Sequence, residues 1–207
     1  MKTLTRPSID RLERFYRTNL INSLTGFKSV ALLGTRSEAG QENLAIFSQL
    51  IHVGANPPLL GILFRPPSVT RHTLENIQRT RYFSVNHIRP EWVAQAHHTS
   101  ARWDESEFEA CGLTAEYIDN FFSPFVKESQ IKIGLQYVEE HSLTNDTVLL
   151  VGEMLQVHVP EDCLQEDGFL DLEKAQTVTC SGLDSYHTTR QLTRLSYAKP
   201  QQPLREI

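Results

Sequence analysis

The sequence predicts a mostly β fold with peripheral helices, antiparallel and closed or half-closed into a barrel. Three observations predict it. About six apolar runs of strand length recur along the chain, and the helical patterns between them are few and short. No regular strand–helix–strand alternation appears, which disfavours a doubly wound parallel sheet. A glycine-bearing turn, Thr35 to Gly40, and an arginine-proline turn, Arg65 to Pro67, bound the early runs.

In chain order, Ser8 to Tyr16 reads as one short helix, with Ile9, Leu12 and Phe15-Tyr16 at helical spacing behind a Ser8 cap. Ser29 to Thr35 is a strand, followed by the polar turn Arg36 to Glu42 and a second short strand, Asn43 to Phe47, completing a hairpin. Leu59 to Phe64 is a third strand, stopped by Pro66-Pro67, which cannot donate to a ladder. Val69 to Thr80 is a helix with Val69, Thr73, Leu74 and Ile77 on one side and Ser68 or Thr70 as cap. Tyr82 to His87 alternates Phe83 and Val85 against Ser84 and Asn86, the mark of a strand. Pro90 to His98 is a further helix. Within 101–130 the acidic patch Asp104 to Glu107 suits a solvated helix start. Ile131 to Glu139 is a half-buried strand, and the β-branched run Thr147 to Val159 is expected at the centre of the sheet. The segment Gly182 to His187 reads as a loop carrying Tyr and His together.

A chain of 207 residues, 40% hydrophobic and 22% charged, can bury the core of one domain. Its net charge of −5 and the lack of a lysine–arginine run argue against nucleic acid as a partner. The three cysteines, Cys111, Cys163 and Cys180, have no metal-ligand spacing and read as reduced structural thiols. No segment has the ~18 apolar residues of a membrane span, and Met1 to Phe27 lacks a secretory pattern. A cytoplasmic protein without metal is the expectation.

Candidate ligand-binding residues concentrate between Thr35 and Asn86. A helix beginning near Thr70 offers unpaired N–H groups and a partial positive charge. Arg71 adds a forked cation there, Thr73 a hydroxyl and His72 an imidazole, while Arg65 reaches the same point from the preceding strand. That set suits a phosphate. Asn43 to Ser48, as a strand edge, presents amide and backbone groups beside small Ala45, which can read a planar ring with alternating donors and acceptors. A surface helix and a turn-capping asparagine remain the plainer explanations of the two segments. The histidines show no cluster with acids or thiols; His97 and His98, adjacent on a helix, point apart. Trp92, Trp103 and Phe121-Phe122 read as core or interface residues.

The series Asn43-Leu44-Ala45-x-Phe47-Ser48, Asn56-Pro57-Pro58-Leu59, Arg71-His72-Thr73-Leu74-x-Asn76-Ile77 and Phe83-x-Val85-Asn86 resembles the flavin reductase-like family of FMN-binding split barrels, the flavoredoxin branch in particular. Val151 to Val159 and Gly182-x-x-x-Tyr186-His187 are similar to that family's final strand and C-terminal flavin-side loop. The resemblance spans about Gly26 to Pro200. It implies a Greek-key-like split barrel in one domain, 1–207, with a core over about 26–160 and a flavin-side and dimer segment over about 161–207. It further implies a homodimer holding FMN without a covalent bond. Asn43, Leu44, Ala45, Ile46, Phe47 and Ser48 would line the isoalloxazine; Arg65, Arg71, His72 and Thr73 would hold the phosphate, with a hydroxyl from Thr35. Tyr186 and His187 would approach the flavin or substrate, His187 as a proton relay. The chain departs from the family pattern at Ile46, where proline is usual, and at Arg71-His72, where lysine and aspartate are usual.

The implied activity is an NAD(P)H-dependent reductase of flavin or another small-molecule or protein acceptor, with the chemistry supplied by FMN. An electron carrier between proteins and a flavin-binding module without turnover are the alternatives.

Overall fold

The computed structural model describes residues 1–66 and 71–207. The predicted helix near the N-terminus is two: α1 (Arg6–Asp10), with Pro7 in its first turn and Thr5 rather than Ser8 before it, and α2 (Arg14–Ser23). Glu13 interrupts the pattern because its carboxylate accepts from the N–H groups of Phe15 and Tyr16, which starts a new helix. Neither helix buries a residue.

A short strand, β1 (Lys28–Ser29), leads into β2 (Ala31–Arg36), β3 (Glu42–Phe47), β4 (Leu50–Ala55) and β5 (Pro58–Phe64). Strand β4 was not expected; its residues alternate apolar with His52 and Gly54, and only pairing with β5 fixes them as strand. Helix α3 spans His72–Thr80. The predicted cap residues Ser68 and Thr70, and Val69, lie outside the described residues. Strand β6 (Tyr82–His87) follows, then a 3-10 turn Pro90–Trp92 and α4 (Val93–His98), so the helix predicted over 90–98 forms in two pieces. Within 101–130 the chain forms α5 (Glu107–Ala110), β7 (Ala115–Glu116) and β8 (Phe125–Val126). The long strands β9 (Lys132–Ser142) and β10 (Val148–His158) come next, and β11 (Thr179–Ser181) and β12 (Ser185–His187) are the last two strands. The last two make the expected loop a hairpin, paired Cys180 to Tyr186.

The main sheet is antiparallel, in the order β3-β2-β6-β9-β10-β5-β4. Its edges, β3 and β4, are joined by Ser48-Gln49, so the sheet must curl round to bring them together. The expectation that Thr147 to Val159 is central is corrected: β9 occupies the middle, with β10 beside it. Both run eleven residues, and the polar outer half of β9 hid its length.

Strand β2 is buried on both faces, which explains its continuous apolar run. Leu32 joins one core with Leu44, Ile88, Trp92 and Phe108, while Ala31 and Leu33 join another with Leu74, Ile77, Phe83 and Leu135. The polar face of β6 is buried too. Asn86 donates to the Leu32 carbonyl and accepts from the Val126 N–H, and Ser84 donates to the Pro124 carbonyl. Each buried polar atom is thereby paired, as burial demands. Gly34 admits this overlay: a Cβ there would sit 2.2 Å from the Pro124 oxygen.

Candidate functional site

Helix α3 lies against β2 and β3, and the residues facing that junction form a polar knot. The Asn43 amide donates to Thr35 Oγ1 at 3.1 Å and to Thr73 Oγ1 at 3.0 Å, and Asn76 donates to Thr35 Oγ1 at 3.2 Å. Thr35, Asn43 and Thr73 are all buried. Thr73, expected to face a ligand from the first helical turn, turns inward to Asn43. Asn76 was outside the expected site; its spacing of three from Thr73 places it on the same helical face.

Arg71 stands at the N-cap position of α3. Its guanidinium reaches the Pro66 carbonyl, two residues beyond β5, only at 3.5 Å, and its Nε is shielded from solvent with no partner among the described residues. An arginine so placed has donors to spare for an anion at the helix start. Arg65, exposed, follows the last residue of β5. The β3–β4 turn meets the same rim: Leu63 N–H donates to Gln49 O, and the Phe47 and Phe64 rings stand 4.8 Å apart. Ser48, Arg65 and Arg71 are thus brought to one end of the barrel.

Along β3, alternate side chains part company. Leu44 and Ile46 pack on the core beneath α4, whereas Phe47 packs with Phe64 in the other core. Phe47 is therefore a packing residue beside the strand edge, and Ala45 shares its face. Leu44 N–H points away from β2 and donates to Glu107 Oε2 at 3.0 Å, so α5 covers that part of the edge. By the two-residue repeat of a strand, Ile46 presents its backbone N–H and C=O in the same outward direction. No sequence signal marked Glu107 beyond its place in an acidic helix start.

Two cavities are formed by the described residues, the first of them bordering this edge. One, of about 340 Å³, is lined by Ser37, Asn43, His72, Asn76 and Trp103 together with the carboxylates of Glu42, Asp104, Glu105 and Glu107. His72 therefore faces acids rather than the Arg71 rim, and this cavity is unsuited to a phosphate. The other, of about 380 Å³, lies between α4 and Tyr186. The Tyr186 hydroxyl is 2.7 Å from His97 Nδ1, and burial pushes its pKa up to about 12. His187 is engaged elsewhere, with Ser181 Oγ at 2.9 Å, Ser185 Oγ at 3.2 Å and the Phe27 ring. The structure does not bring it into the Thr35–Asn43–Thr73 knot.

Residues 27–177 match the model of the flavin reductase like domain. The chain belongs to the flavin reductase-like family. A candidate flavin reductase with a split barrel domain from Shewanella frigidimarina is 48% identical, with a TM-score of 0.92, covering 96% of this chain and 100% of that one. Nitrilotriacetate monooxygenase component B from Bacillus cereus superposes with a TM-score of 0.82 at 23% identity, covering 94% and 98%. Flavoredoxin of Desulfovibrio vulgaris gives 0.69 at 21% identity, covering 85% and 92%. The last two, under 25% identical, share the fold of this chain.

Among the described residues, no group of three histidine, cysteine, aspartate or glutamate side chains is placed to hold a metal. None of their helices is long and apolar enough to cross a membrane. All three cysteines are free and buried, and burial raises each thiol pKa.

Proposed function

We propose that the protein is an FMN-dependent oxidoreductase that takes electrons from NAD(P)H and passes them to free flavin or another acceptor, as a cytoplasmic homodimer. The observation that carries the FMN assignment is Arg71, a cation at a helix start whose Nε has no partner among the described residues. Family membership and the likeness to a candidate flavin reductase support the redox role.

Bound FMN would supply hydride acceptance and electron transfer; the protein would supply position and exclusion of water. Arg71 and Arg65 would grip the phosphate, with Ser48 on the same rim. The outward backbone of Ile46 would read the ring edge. Thr35, Asn43, Thr73 and Asn76, bonded to one another, would hold β3 and α3 at fixed separation, so that rim and edge stay matched. Leu44 and Phe47 would anchor the strand from opposite faces. His72, Tyr186 and His187 would act at the periphery.

The dimer is supported by apolar surface near the N-terminus. Phe15, Tyr16, Ile21, Leu24 and Phe27 are exposed in the single chain, a concentration that suits an interface.

Anaerobic stopped-flow mixing of the FMN-loaded protein with NADH and with NADPH tests the activity. Rapid loss of the flavin absorbance by either nucleotide is expected. Reduction only by a partner protein would replace the proposal with an electron carrier.

A further inference from the structure

The cavity between α4 and Tyr186 is not needed to hold FMN. Val93, Ala94, His97 and His98 from α4 line it, with Asp184 and Tyr186 from the β11–β12 hairpin. Its volume of about 380 Å³ falls in the range of small-molecule sites. Its position is informative. Helix α4 contacts β3, and Tyr186 packs on the same core as Leu44 and Ile46. The cavity is therefore separated from β3, the strand assigned above to the flavin ring, by no more than α4 and the core that they share.

We propose that this cavity is the binding site of the electron acceptor, a neutral planar carbonyl compound of one or two rings such as a quinone, held by a hydrogen bond from the Tyr186 hydroxyl.

The lining selects that class. The walls supplied by Val93, Ala94 and the Tyr186 ring suit a flat apolar body. The Tyr186 phenol carries its proton at neutral pH, as any tyrosine does, and can donate to a carbonyl oxygen. With the proton on Nδ1, His97 donates to the phenol oxygen across 2.7 Å, which fixes the ring and frees the O–H for the ligand. Asp184 on the rim disfavours an anion. The rings of His97 and Tyr186 meet edge-on at 5.7 Å, so the pair is braced rather than free to swing. His97 is a positioning residue here, acting through Tyr186.

The site also has a built-in reporter. Trp103 donates its indole N–H to the His98 carbonyl and packs against the His98 ring at 4.7 Å. Menadione, a neutral naphthoquinone, should quench its fluorescence saturably in both flavin-free and FMN-loaded protein. Trp103→Phe should remove most of that signal.

Because the proposal rests on the flavin reading, FMN affinity is titrated separately in each protein. Ala94→Trp should fill the cavity and weaken menadione binding at least about tenfold, while leaving FMN affinity as in the wild type. His97→Ala should weaken menadione by about three- to tenfold, and His97→Asn, which offers another polar donor, by less. The anionic 1,4-naphthoquinone-2-sulfonate should bind more weakly than menadione, and Asp184→Asn should narrow that gap. Absence of saturable quenching in the wild type, or menadione binding unchanged in Ala94→Trp, would overturn the proposal. So would displacement of menadione by FMN, which would assign the cavity to the flavin itself. Failure of the wild type to bind FMN would instead remove the flavin reading, in a measurement that does not involve the quinone.

Discussion

The backbone N–H of Leu44, on the open edge of β3, donates to Glu107 Oε2 at 3.0 Å. An unpaired strand edge attracts other chains, and here a side chain from a separate helix covers part of it. The bond also divides the edge: the Leu44 donor is taken, and Ile46 is the next position facing outward.

Glu107→Ala should lower stability by about 1.5–3 kcal/mol, the cost of losing a charged partner to a shielded donor, read as a shift of the urea midpoint. FMN affinity should change by less than about threefold if the ring reads the edge from Ile46 onward. A larger loss would place the ring against Leu44.

Arg71→Ala should weaken FMN binding by about 1.5–3 kcal/mol, the range for a charge-assisted hydrogen bond. Arg71→Lys should keep part of that, since the charge remains but the fork is lost. Isothermal titration with FMN measures both; unchanged affinity in the alanine variant would contradict the phosphate assignment.

Asn43→Ala should cost about 1–3 kcal/mol, because Thr35 and Thr73 lose the buried amide that bridges them. The same variant should bind FMN more weakly, since β3 and α3 lose their cross-link. Thermal melts with and without FMN separate the two effects.

His87 should make the protein acid-sensitive. It is half-buried, with Nδ1 3.2 Å from Thr177 Oγ1, and desolvation lowers its pKa from 6.5 to about 4. Between those values the unfolded chain takes up the proton before the folded one. Stability is therefore full above pH 6.5 and falls as the pH drops toward 4. At about 1.4 kcal/mol per pH unit, the loss is on the order of 2–3 kcal/mol after allowing for partial exposure. His87→Gln should flatten this part of the stability curve; an unchanged slope would exclude His87 as its cause.

The legible parts of the fold were those whose local pattern and packing agree. The buried run at Ala31 to Leu33 and the apolar side of α3 could be read directly, as could the hairpin between Arg36 and Glu42. Strand β4 was hidden because its identity lies in pairing with β5, a contact its composition does not announce. The two N-terminal helices ran together because the Glu13 cap acts through geometry, not periodicity. The burial of Ser84 and Asn86 depends on residues 124–126 crossing over β6, forty positions away.

At the candidate site, Arg71 and Asn43 were candidates by residue type and position, whereas Thr35 came only from the family resemblance. Which way Thr73 turns could not be read, because it depends on the partner offered by Asn43. Glu107 and His97 come from segments distant in sequence, and their roles exist only once α4 and α5 pack beside β3.

The central claim is that the flavin phosphate sits at Arg71 while the ring lies along β3, and a crystal structure of the FMN complex tests it most directly. The phosphate is expected within hydrogen-bonding distance of the Arg71 guanidinium, with the pyrimidine edge against the Ile46 backbone. Phosphate bound away from Arg71, or that rim closed by protein side chains, would contradict it.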